Sequence, residues 1–156
     1  LVLNTGCMLL LALLIPLMGA WSDRIGQAPL LITGAAGIAL LAYPCFLWLT
    51  SNHLPRMIAA QVLLTLLVAC YMGPFFATVT ELFPTSQRYT GLSVGYNIGA
   101  ALFGGTAPLV ATFLIEWSGN VLAPAFYLSM CATVSLTILL TLRNRGPAQP
   151  ALAPDN

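Results

Sequence analysis

The chain has 156 residues, 59% of them hydrophobic and only 6% charged, with a net charge of +1. A water-soluble domain carries about a quarter charged residues, so this composition excludes one and points to an all-α integral membrane protein. Five scattered Arg and no Lys exclude a nucleic-acid-binding face.

Taken in order, five apolar runs each approach the about 20 residues that a helix needs to cross the hydrocarbon core. The predicted transmembrane helices cover residues 2–20, 29–49, 57–79, 90–115 and 121–142. The first is followed by a tight polar turn, Trp21-Ser-Asp-Arg-Ile-Gly-Gln-Ala28, and Pro29 suits the first turn of the second. Thr50–Arg56 forms the next connection, Glu81–Arg88 the third and Glu116–Asn120 the fourth. Pro16, Pro44, Pro74 and Pro108 fall inside four of the spans and are expected to break them. Residues 143–156 contain Pro147, Pro150 and Pro154 without an apolar period, which predicts a disordered tail.

Alternate connections lie on opposite sides of the bilayer. Arg24, Arg88, Arg143 and Arg145 therefore share one face, and Arg56 alone occupies the other. That bias makes the first face, with the tail, cytoplasmic. Trp21, Trp48 and Trp117 fall at span ends, as an interfacial aromatic belt requires. Leu1 is not a start residue and would lie on the outer side with no signal segment before it, so upstream helices are expected.

The most informative stretch is ELFPTSQRYTGLSVGYNIGAALFGGTAP, from Glu81 to Pro108. Its charges, Glu81 and Arg88, flank Pro84, which cannot continue a helix. Gly91, Gly95 and Gly99 then recur every fourth residue and place a side-chain-free stripe on one helix face, where a neighbouring helix is expected to pack. Tyr71, Tyr96, Asn97 and Asn4 are polar groups within spans, where such residues turn toward a bundle interior or an aqueous cavity. For each, helix-to-helix hydrogen bonding is the competing role. Asn97 lies off the glycine stripe and is the favoured cavity residue.

Cys7, Cys45, Cys70 and Cys131 sit inside apolar runs at spacings that match neither a metal site nor a disulfide framework, and they read as packing thiols. Asp23, Glu81 and Glu116 lie at span ends, Asp155 in the tail, and His53 in an outer loop. No nucleophile-base-acid set, phosphate loop or metal-ligand spacing is present, so neither an enzyme nor a cofactor is expected.

Two motifs carry a resemblance. Gly19 with Asp23-Arg24-x-Gly26 resembles the signature loop of the major facilitator superfamily, in the copy linking its eighth and ninth helices. Glu81-Leu-Phe-Pro-Thr-Ser-Gln-Arg88 resembles that family's Glu-(six residues)-Arg motif between the tenth and eleventh. The continuation through Tyr96-Asn97 to Gly104-Gly105-Thr-Ala-Pro108 is similar to the metabolite:proton symporters, which include permeases for proline and betaines, α-ketoglutarate, citrate and shikimate.

The resemblance implies the last five of twelve helices of a proton-coupled symporter for a small polar metabolite, in a bacterial cytoplasmic membrane. Its partners would be that metabolite, protons, the lipid bilayer and the N-terminal helices of the same transporter. It further implies that Asp23, Arg24, Glu81 and Arg88 form a cytoplasmic gate. In this chain Gln27-Ala28 stands where the family usually carries a basic pair. A truncated non-transporting membrane protein, or a helix-bundle assembly partner, is the alternative reading.

Overall fold

The structure is a computed structural model, and it describes residues 2–81 and 88–144. The Leu82–Gln87 segment of the third connection and the tail from Arg145 lie outside the described residues. The described chain forms helices α1 (Val2–Ile25), α2 (Gln27–Leu49), α3 (Leu54–Glu81), α4 (Arg88–Gly99), a π-helical segment (Ala100–Gly105), α5 (Ala107–Ser118) and α6 (Ala123–Asn144). Counting α4, the π segment and α5 as one span, five helices are long and apolar enough to cross a membrane.

The α1–α2 connection is far tighter than the expected turn. Helix α1 continues through Asp23 and Arg24 to Ile25, and Gly26 is the single non-helical residue before Gln27. Gly26 has φ +101°, a conformation that a Cβ disfavours. Its N–H donates to the Ser22 carbonyl at 2.8 Å, closing the last turn of α1 as the chain reverses. At the other end, α6 runs through Arg143 to Asn144, past the expected start of the tail.

Pro16, Pro44 and Pro74 do not break their helices, which remain continuous through all three. In an apolar medium the helix retains its remaining backbone bonds because no water replaces them. Of the four prolines expected to break a span, Pro108 alone sits at an interruption of the α-helix. This residue has no N–H to give to the Gly104 carbonyl, and Gly104-Gly105 adds two weak helix formers. The backbone widens to the π form over residues 100–105, and α5 restarts with Pro108 in its first turn. The Thr106 hydroxyl donates to the Leu102 carbonyl across this junction.

Packing centres on α2, which lies against α3 and α6, while α1 lies against α3. The buried positions are mostly small: Ala35, Ala42, Ala60, Ala69, Ala125 and Ala132. The large apolar side chains, such as Leu13, Phe113 and Phe126, point outward. This is the arrangement suited to lipid, where small residues let helices approach and no apolar side chain needs shelter from water. Two crossings are backbone-tight. A Cβ on Gly73 of α3 would lie 2.7 Å from Met18 Cβ and 2.9 Å from the Gly19 nitrogen of α1. A Cβ on Gly34 of α2 would lie 2.8 Å from the Tyr71 nitrogen of α3.

The span formed by α4, the π segment and α5 is peripheral and has no buried residue among those described. Among the described residues no helix packs on Gly95 or Gly99 of the expected stripe, where an added Cβ would meet no atom within 4 Å. All three stripe glycines line an open cavity facing α3.

Candidate functional site, a cavity around Tyr71 and Phe103

The site is built on α3. Gly34 lets the α2 backbone reach the Tyr71 nitrogen, which fixes where the Tyr71 side chain leaves its helix. The Tyr71 hydroxyl then meets Ser135 Oγ of α6 at 2.8 Å, tying α3 to α6. One turn further along α3, Phe75 stacks beside Tyr71 with ring centroids 5.9 Å apart and planes 29° apart. Phe76 lies 5.4 Å from Phe75 and 5.3 Å from Tyr96, centroid to centroid, and so joins the rings of α3 to those of α4.

Three adjoining cavities of about 470, 710 and 360 Å³ open around this framework. Tyr71 and Phe103 line all three. The first lies between α3 and the glycine stripe, with Phe75 and Tyr96 on its walls. The second extends along α6 past Tyr127 and Cys131. Phe103 comes from the π segment, and such segments recur at functional sites because they re-aim side chains. No charged residue is among the described residues that line the three.

Of the in-span polar residues singled out from sequence, Tyr71 and Tyr96 line the first cavity. Asn97 does not. It is exposed and lines none of the described cavities. The stripe itself faces the cavity, and a position two residues from Gly95 and Gly99 points to the opposite side of the helix. Asn4 accepts a hydrogen bond from Gln61 Nε2 at 3.3 Å beside a separate 250 Å³ cavity toward the start of α1.

Four site residues escaped the sequence reading: Ser135, Phe75, Phe103 and Gln61. Ser135 carried no distinguishing signal, because Thr133, Thr137 and Thr141 on the same helix bond to their own backbone four residues back. Gln61 could have been found as an amide inside an apolar run.

The four residues of the expected gate lie at the opposite end of the helices from Asn4. Asp23 and Arg24 occupy the last turn of α1 and are exposed. Glu81 is the last residue of α3 and Arg88 the first of α4. At this same end, the Thr78 hydroxyl of α3 lies 2.8 Å from Gln27 Oε1 and 3.0 Å from the Pro74 carbonyl, donating toward both acceptors. Gln27 thus joins the start of α2 to the end of α3 with a neutral hydrogen bond.

The Tyr71–Ser135 bond makes a direct prediction. Tyr71→Phe and Ser135→Ala should each lower helix-bundle stability by about 0.5–1.5 kcal/mol, and the double variant should lose no more than either alone. Unfolding in mixed micelles, followed by circular dichroism, reads this cycle. Strictly additive losses would mean that the two hydroxyls do not act as a pair.

Compared with known proteins, the chain is 32% identical over 133 residues to the ectoine/proline transporter ProP of Corynebacterium glutamicum, which is 85% of this chain and 26% of the relative. It is 33% identical over 144 residues to the proline/betaine transporter of Escherichia coli K12, covering 88% of this chain and 29% of the relative. It is 32% identical over 139 residues to the glycine betaine/proline/ectoine/pipecolic acid transporter OusA of Dickeya dadantii, covering 85% and 28%. The chain spans less than a third of the length of these relatives. No solved structure matches it significantly. Residues 2–155, which include the whole helical framework and both ends of the cavity wall, match the family model of the Major Facilitator Superfamily, and the chain belongs to that family.

Proposed function

We propose that this chain forms part of a secondary transporter for a small zwitterionic metabolite of the proline, betaine or ectoine kind, driven by protons. The observation that carries this reading is the similarity of some 85–88% of the chain to transporters named for those solutes. The uncharged cavity around Tyr71 and Phe103 would supply part of the binding wall. Transport would proceed by alternating access, one helix bundle rocking against another around a midplane site. The protein acts on no covalent bond in this reading and is not an enzyme.

Asp23, Arg24, Glu81 and Arg88 would close the cytoplasmic side, and the positive-inside bias of Arg24, Arg88, Arg143 and Arg145 orients that side. Bacterial relatives favour the bacterial cytoplasmic membrane. The described span centres hold no carboxylate, so the coupling proton is assigned to a residue outside this chain.

Proteoliposomes containing the complete protein that carries this chain test the proposal. With an acidic exterior, labelled proline or glycine betaine should accumulate several-fold above the level reached without a pH gradient. Accumulation of neither, or of α-ketoglutarate and citrate alone, would remove the proposal. Gradient-independent equilibration would retain transport and remove proton coupling.

A further inference from the structure

We propose that Tyr71, Phe75, Tyr96 and Phe103 form a subsite for the quaternary ammonium head of a small zwitterion, an inference that rests on the transport reading above and names its substrate class. These four side chains line one cavity of about 470 Å³, and no charged residue is among the described residues on its walls. A trimethylammonium group has no N–H to donate, so hydrogen bonding cannot hold it. The attraction available to such a cation is the negative face of an aromatic ring. That attraction strengthens as the cation loses water on entering an apolar wall.

The same wall disfavours the opposite charge. A ligand bearing only carboxylates would meet aromatic rings, and of the tyrosine hydroxyls on this wall, that of Tyr71 already engages Ser135 Oγ at 2.8 Å. The rings are also held in place before any ligand arrives. Tyr71 is fixed by its bond to Ser135 and by the close approach of Gly34 to its backbone nitrogen. Phe75 stacks on Tyr71, and Phe76 links that stack to Tyr96. A preformed wall lowers the ordering cost of binding. Opposite these rings the glycine stripe is open, since a Cβ on Gly95 or Gly99 would contact nothing. The stripe therefore gives a methylated head room to sit against the aromatic faces.

The test compares glycine betaine with 3,3-dimethylbutanoate, which has the same shape and carboxylate but a neutral carbon in place of nitrogen. Binding to the complete protein in lipid nanodiscs is measured by isothermal titration calorimetry. Glycine betaine should bind about tenfold tighter or better than its neutral isostere, in line with stacking several desolvated cation–π contacts. Tyr96→Leu and Phe103→Leu should each erode that preference, and Tyr96→Phe should keep it. Tyr96 is 47% and Phe103 64% exposed, so these truncations open no core void. Equal affinity for the two ligands in the parental protein, binding of neither, or a preference that survives both Leu substitutions would overturn the subsite. Transport fails separately: absent uptake with an intact charge preference would refute the transport reading alone. Uptake without a charge preference would refute the subsite alone.

Discussion

Gly73→Leu is expected to unseat α1 from α3, whereas Gly95→Ala and Gly99→Ala leave the fold intact. A side chain on Gly73 would press into Met18 Cβ at 2.7 Å, the Gly19 nitrogen at 2.9 Å and the Met18 carbonyl carbon at 3.0 Å. None of these is the far end of a flexible side chain, so relief requires the two helices to separate. Overpacking by even one carbon costs about 1–3 kcal/mol, and the four carbons of leucine at a backbone crossing should exceed that range. Gly34→Leu should behave alike, because its Cβ would lie 2.8 Å from the Tyr71 nitrogen. It would displace the Tyr71 ring as well. Alanine at Gly95 or Gly99 meets open space and gains helix propensity, so stability should hold or rise by up to about 1 kcal/mol. Thermal unfolding of the four variants, read by fluorescence-detected size exclusion, checks the contrast. Collapse of the Gly95 or Gly99 variants with a normal Gly73 variant would place the critical crossing on the stripe.

That contrast shows which part of the fold was legible. Apolar runs of sufficient length revealed the spans because the bilayer imposes their length whatever their neighbours do. The close crossings were not legible, since Gly73 stands alone in α3 and Gly34, with Gly37 three residues on, belongs to no fourfold pattern. A tight crossing needs one glycine per helix at the point of contact, and that point is set by how two helices lie in space. The fourfold stripe was legible as a pattern, but its meaning depended on what lies opposite. The prolines misled for a related reason. Pro74 is among the most buried side chains and Pro16 is exposed, yet both helices run on, because in lipid no water competes for their remaining backbone bonds. Gly26 was placed in a turn from sequence, yet its positive φ, and with it a one-residue reversal, is a property of the folded chain. The cavity was half legible: tyrosines inside spans stand out, whereas Phe75 and Phe103 resemble every other apolar residue of a membrane helix.

Arg88→Ala is expected to cut uptake by the complete protein about tenfold or more while membrane abundance stays near parental. Glu81 on α3 and Arg88 on α4 flank the third connection, at the end of the bundle where Asp23 and Arg24 close α1. In the proposed gate, removing Arg88 leaves an acidic partner uncompensated, and the loss should appear in transport. A factor of ten corresponds to about 1.4 kcal/mol, within reach of a partly desolvated charge network that forms in one state and breaks in the other. The exchange Glu81→Arg with Arg88→Glu keeps both charges and, where the two residues pair with each other, should restore part of the uptake. An exchanged protein that is abundant yet inactive would redirect the pairing to Asp23 and Arg24. Parental uptake by Arg88→Ala would reduce all four residues to solvated charges at helix ends.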